Sequence, residues 1–133
     1  MSGDQTATVL DAMPFARTLG VELDAVSPQE VRGGLEWAPE RCTAGGILHG
    51  GALMALADSL GAVCAYLNLP PGASTATIES KTNFLRAVRS GRVEAVSRPL
   101  HVGRTVIVVE TDVRDADGRH VARVTQTQAV ITA

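Results

Sequence analysis

Residues 50–69 constrain this chain more than any other segment. They are apolar or small throughout, apart from Asp58 and its polar neighbours Ser59 and Asn68, and they run into Leu69-Pro70-Pro71-Gly72. That length approaches the ~20 residues that cross a bilayer. Asp58 in the middle and the lack of a flanking Lys/Arg cluster point instead to a helix buried in protein. Leu53, Leu56, Leu60, Val63 and Leu67 recur with a period near 3.6 and form one stripe suited to packing on a sheet. The spacing predicts a helix from about Gly51 to Asn68, stopped by the two prolines. Asp58 falls opposite the stripe, among Gly51, Met54, Ala55, Gly61, Ala62 and Ala65. A face of small and apolar residues suits close approach of another chain or a ligand better than it suits water. The helix is therefore expected to be covered on both sides, by its own sheet and by a partner subunit across a two-fold axis. Asp58 becomes a carboxylate in a mostly apolar crevice, a candidate catalytic group; a solvated residue or a structural hydrogen bond is the other reading.

The rest of the chain reads as strands. Residues 20–26 and 30–37 alternate around Ser27-Pro28, and residues 75–87, 91–102, 104–115 and 119–132 are rich in Val, Thr and Ile. Ser90-Gly91, Gly103 and Asp117-Gly118 separate the last four, which are expected to form an antiparallel meander. Residues 6–18 read as a short helix interrupted at Pro14, and 38–49 as a loop. Strands segregated from one dominant helix make a single α+β domain over residues 1–133. A hydrophobic content of 45% with 20% charged residues allows a packed core.

Several function classes are disfavoured. A net charge of −2 does not suit a chain that grips phosphate backbones. Phe15, Trp37, Tyr66 and Phe84 are too few for base-stacking platforms, so no nucleic-acid partner is expected. Cys42 and Cys64 form no CxxC pair and read as free thiols of a reducing compartment. Met1 to Leu10 carry neither a basic nor an apolar leader region, which suggests a cytoplasmic protein rather than a secreted one. His49, His101 and His120 are scattered, so no metal site is expected, and the latter two read as solvated strand residues. No GxSxG elbow occurs, and Ser59 has no evident base.

Directly before the long helix stands Ile47-Leu48-His49-Gly50-Gly51. A glycine pair opening a helix presents N–H groups without intrahelical partners, and the helix dipole there favours an anion. A carbonyl under nucleophilic attack becomes such an anion, and each preorganised donor contributes about 2.7–4 kcal/mol in the transition state. The same pair can also be no more than a helix start. It is not a P-loop, since no Lys-Ser/Thr follows.

His49-Gly50-Gly51 followed by Leu56-Ala57-Asp58 resembles the hotdog-fold thioesterases of the phenylacetate-degradation (PaaI-like) group, and is similar to the 4-hydroxybenzoyl-CoA thioesterases that share the His-Gly-Gly turn. Pro14-Phe15, Leu19-Gly20-Val21, Thr82-Asn83-Phe84-Leu85-Arg86, Gly103-Arg104-Thr105, Asp115 to Arg119 and Val121-Ala122 continue the likeness in order over nearly the whole chain. The resemblance implies a hotdog fold, an antiparallel sheet wrapped around one central helix, and hydrolysis of small aryl- or medium-chain acyl-CoA thioesters. It implies that Gly50 N–H polarises the thioester carbonyl and that His49 shapes the turn. Asp58, from the neighbouring subunit, attacks the thioester or activates a water, and Thr77 holds the water or the carboxylate. Arg86, Arg104 and Thr105 match positions that contact CoA phosphates. It implies a homodimer or homotetramer with acyl-CoA as substrate and no separate cofactor. Thr43 stands six residues before His49, where many relatives carry Asn or Gln at the reacting centre; a Thr hydroxyl is shorter and acts there through a water. The acid is Asp, as in the phenylacetyl type.

Arg86, Arg89, Arg92, Arg98 and Arg104 make the middle of the chain locally basic, which suits either a solvated sheet face or a CoA diphosphate. Two other classes fit the same fold. A noncatalytic acyl-CoA sensor would keep the crevice and lose the acid; a hydratase or dehydratase would need a His–acid pair at another spacing.

Overall fold

The computed structural model describes residues 3–132. Met1, Ser2 and Ala133, which bound the expected domain and open its N-terminal segment, lie outside the described residues. A first helix, α1 (Gly3–Asp11), breaks before α2 (Pro14–Leu19), which begins on Pro14. Proline is favoured at this position, where its missing N–H would have no intrahelical partner. Gly20 closes α2 in a left-handed conformation (φ 99°) that favours glycine.

Strands β1 (Glu22–Val26) and β2 (Val31–Glu36) form the first hairpin. Then come two short 3₁₀ turns, the central helix α3 (Gly50–Tyr66), and strands β3 (Ser74–Phe84), β4 (Arg92–Val102), β5 (Val106–Arg114) and β6 (His120–Ile131). All six strands join one antiparallel sheet in the order β1-β2-β4-β5-β6-β3.

This order corrects one sequence expectation. The last four strands are not a simple meander: β4, β5 and β6 are, but β3 leaves β4 and pairs along its length with β6 at the far edge. The physical cause lies in residues 85–91, which are not a tight turn. Leu85 N–H bonds Val121 O at 2.8 Å, Leu48 N–H bonds Val88 O at 2.8 Å, and Trp37 N–H bonds Gly91 O at 2.8 Å. Val88 is buried, so the segment is anchored across the end of the sheet instead of turning back.

The sheet wraps α3, which touches β2, β3, β4, β5 and β6. Leu56 and Leu60 are fully buried, with Leu53 and Val63 nearly so; Leu67, past the helix end, is partly buried. They meet Val31, Leu35, Val93, Ala95, Ile107, Val109 and Val113 in one core. Each such leucine contributes about 1.5–3 kcal/mol by leaving water. Among the described residues no helix is long and apolar enough to cross a membrane.

Candidate active site

The start of α3 is capped by its own histidine. His49 Nδ1 accepts from Gly51 N–H at 2.7 Å, and His49 O accepts from Ala52 N–H at 2.9 Å and Leu53 N–H at 3.3 Å. An accepting Nδ1 carries no proton, so this bond selects the Nε2–H tautomer. Gly50 N–H has no partner among the described residues. It is the donor left over at the positive end of the helix dipole. A Cβ added at Gly50 would stand 3.1 Å from Phe84 Cζ, so glycine lets the ring lie close over this amide.

Asp58 lies about two turns further along and is half-buried. Its Oδ1 accepts from Thr77 Oγ1 at 2.8 Å and from Gln126 Nε2 at 3.1 Å. Gln128 Nε2 donates to Thr77 Oγ1 at 2.7 Å, which leaves the Thr77 hydrogen for Asp58. Asp58 Oδ2 takes no hydrogen bond among the described residues, and it is not a buried orphan. A bulge at Ile78 keeps Thr77, opposite Gln128, and Ser80, opposite Gln126, on the helix side of β3 despite their three-residue spacing.

Gln126 and Gln128 escaped the sequence reading. Their signal was present: along β6 the inward positions run Val124, Gln126, Gln128, Val130, so two amides interrupt an otherwise apolar alternation. Gly61 also departs from expectation. Opposite the leucine stripe, it was expected to face another chain. It is buried under Gln126 instead, and a Cβ there would stand 2.0 Å from Gln126 Oε1. Gly51 and Met54 on that side are exposed, and Ala55 and Ala62 half-buried.

The predicted residues divide into two groups in one chain. Gly50 and Asp58 are eight residues apart on one helix, about 12 Å at 1.5 Å per residue, too far to share one carbonyl. His49, Gly50 and Phe84 stand near the end of the sheet that carries Arg86. Asp58 and Thr77 stand toward the other end, where the β4–β5 turn carries Arg104 and Thr105, and Thr105 O accepts from Val130 N–H. The length of β5 separates the two ends by roughly 26 Å. Thr43 is exposed in the loop before α3 and bonds Ile47 O through its backbone N–H at 2.8 Å.

Two clefts bear on the predicted residues, one along residues 85–90 and one at the helix start. One, of about 590 Å³, is lined by residues 85–90 with Asp115, Asp117 and Arg119. Arg119 is paired with both aspartates, whereas Arg86 and Arg89 have no ion pair among the described residues. Two backbone N–H groups and the Arg119 guanidinium, the Arg119 N–H foremost, hold the Asp115 carboxyl below its usual range. The other cleft, of about 380 Å³, is largely apolar and lined by Phe15, Leu19, Cys42, His49, Ala52 and Ala55, among others. Cys64, by contrast, is enclosed in the core, and burial pushes its thiol up to about 11. His101 and His120 are exposed; His120 contacts Asp112 and Arg114. Among the described residues no three His, Cys, Asp or Glu side chains cluster as a metal site.

Residues 45–122 match the family described as the thioesterase superfamily. A Pseudomonas aeruginosa protein named as an esterase is 33% identical over 85% of this chain and 79% of its own length. The 1,4-dihydroxy-2-naphthoyl-CoA hydrolase of Escherichia coli is 39% identical over 56% of this chain and 54% of its own. Among solved structures, a mutant thioesterase from Pseudomonas aeruginosa superposes with a TM-score of 0.91 at 29% identity, covering 96% of this chain and 94% of that one. A thioesterase from Haemophilus influenzae superposes with a TM-score of 0.90 at 26% identity, covering 99% and 92%.

Proposed function

We propose, from the premise that this chain belongs to the thioesterase superfamily, that it hydrolyses small aryl- or medium-chain acyl-CoA thioesters to the free acid and CoA. The observation that carries this reading is complementary. One chain offers an unsatisfied amide at Gly50 and a carboxylate at Asp58 with one free oxygen, and it holds them about 12 Å apart. A second copy, turned by a two-fold axis, brings its Asp58 to the first chain's Gly50. The same rotation brings Arg104 and Thr105 of the second copy toward Arg86 of the first, so the residues assigned to CoA phosphates gather as well. The unpaired guanidiniums of Arg86 and Arg89 suit a diphosphate.

In the reaction, Asp58 Oδ2 takes a proton from water, and the water oxygen attacks the thioester carbon. Gly50 N–H holds the developing oxyanion. The C–S bond then breaks, and the proton held on Asp58 passes to the departing sulfur, so that CoA leaves as the thiol and the carboxylate is restored. Direct attack by Oδ2, giving an acyl anhydride that water opens, balances equally. A single turnover in labelled water separates the two, since only the anhydride route places label in Asp58. His49 is engaged as the helix cap, and Thr43, if it takes part, acts through a water because its hydroxyl is short. The free thiols Cys42 and Cys64 suit the cytoplasm.

Thiol release from a panel of benzoyl-, phenylacetyl- and hexanoyl-CoA tests the reading. Asp58→Ala lowers kcat by about 10²–10⁴-fold on whichever substrate is used. Equal rates for wild type and variant would remove Asp58 from the chemistry, and no thiol release at all would favour the sensor. Light scattering at micromolar concentration is expected to show a dimer or a pair of dimers; a monomer would be incompatible with the shared site.

A further inference from the structure

The polar side of the core holds a device that the proposed chemistry does not require by itself. We infer that Gln126 is a positioning residue: its amide pins Asp58 Oδ1 so that Oδ2 alone is presented to the substrate. This rests on Asp58 being the reacting carboxylate.

Gln126 is fully buried on β6, and its Nε2 donates to Asp58 Oδ1 at 3.1 Å. The other end of the amide, Oε1, is buried without a partner among the described residues. Burying a polar group unpaired is unfavourable, so a core glutamine serving only to fill volume would be poorly chosen. Methionine fills similar space without that cost. The fold accepts a second cost at the same place. Gly61, in the interior of α3, leaves the gap into which Oε1 fits, since a Cβ there would stand 2.0 Å from it. Glycine inside a helix is disfavoured relative to alanine. Both costs fall one turn from Asp58, and both serve to aim one N–H at one oxygen.

The orientation of the amide is set by the acid. Turned over, Gln126 would point its carbonyl at a carboxylate, acceptor against acceptor. Gln128, two residues on and facing the same way, acts on the same oxygen through Thr77. Among the described residues two donors thus converge on Oδ1 and none on Oδ2, which fixes both the rotation of the carboxyl group and the identity of its working oxygen. A base or nucleophile held in one rotamer spends more of its time in the reactive geometry.

The test uses kcat and KM for thiol release from the best acyl-CoA of the panel, with thermal melting as a check on folding. Gln126→Met keeps the volume and removes the donor. It is expected to lower kcat about tenfold or more with KM within about twofold, as for an interaction felt in the reaction step and not in binding. Gly61→Ala displaces the amide from the other side and is expected to lower kcat similarly. In the Gln126→Ala background, where nothing remains to displace, Gly61→Ala costs nothing further, a non-additivity that shared geometry requires. If Gln126→Met melts too low to assay, the Gly61→Ala cycle decides. Unchanged kcat in Gln126→Met, or equal losses from Gly61→Ala in both backgrounds, would overturn the inference. Asp58→Ala runs in parallel: if it retains full activity, the proposed chemistry has failed, whereas a dead Asp58→Ala beside a fully active Gln126→Met rejects the positioning role alone.

Discussion

The two flanks of α3 press against the same sheet with opposite chemistry. Toward β4 and β5 the inward side chains are Val93, Ala95, Ile107, Val109 and Val113, and the one polar pair, Ser97 and Thr111, closes on itself with a 2.6 Å hydrogen bond. Toward β3 and β6 the inward positions include Thr75, Thr77, Ser80, Thr82, Gln126 and Gln128 beside the apolar Val124 and Val130. Among the described residues, the three buried side-chain polar atoms without a partner, Ser80 Oγ, Thr82 Oγ1 and Gln126 Oε1, all lie on this second flank. One flank satisfies its polar atoms and contributes stability. The other leaves some unpaired and holds a carboxylate in place, a local conflict of the kind expected where function overrides packing.

The sharpest way to break this comparison is to damage each flank and ask which property fails. Leu60→Ala on the aliphatic side should lower unfolding free energy by about 2–5 kcal/mol in urea titrations, with kcat per folded molecule unchanged. A comparable loss of kcat would mean that the two flanks are not separable. Gly50→Pro tests the proposed oxyanion donor at the start of the helix. It removes the free N–H at the first helical position, where proline is tolerated, and His49 already has the extended backbone (ψ 134°) that a following proline needs. The expected result is a fall in kcat of about 10²–10³-fold with helix content retained by circular dichroism. The Phe84 ring must shift to admit the proline, so a crystal structure of the variant completes the test.

Smaller effects sharpen the contrast. Thr77→Val removes one donor from Asp58 and strands the buried Gln128 amide; kcat should fall about tenfold, and the stranded amide should lower stability by about 1–3 kcal/mol. Replacing Ser97 and Thr111 together by valine removes both members of a closed pair, and stability should change by no more than about 1 kcal/mol. The smallest effect lies outside both flanks, at Asp115. Its folded pKa is below the ordinary 3.8 because backbone N–H groups and Arg119 stabilise the charged form. That stabilisation is present above about pH 4 and is lost as pH falls through the folded value. Wild type should therefore exceed Asp115→Asn in urea midpoint at pH 7, and the gap should close below about pH 4; a gap independent of pH would rule out the charge as its source.

The aliphatic flank was legible in the sequence and the polar flank only partly so. A 3.6-residue stripe of leucines announces a helix and its buried side, because period and hydrophobicity are the same signal. Asp58 stood out because a charge interrupts that signal. The far-edge placement of β3 did not, since a Thr-rich strand reads the same beside β4 or beside β6, and only the anchoring of residues 85–91 decides between them. Gln126 and Gln128 were hidden for a related reason. Two amides in a strand look like solvated residues until the register turns them inward. Gly61 shows the limit of helical-wheel reasoning, which locates a residue's angle on the helix but not which chain covers it.

In the proposed two-fold dimer α3 carries the amide of one pocket and the acid of another, so a symmetric pair of chains would hold as many pockets as chains, and injury to them could be shared out unequally. Chains lacking the acid and chains lacking the amide would each be inert among themselves. Mixed one to one, they would assemble hybrids in which one pocket collects both lesions and the other none, so that recovery of activity from two dead proteins is the outcome the proposed shared pocket requires.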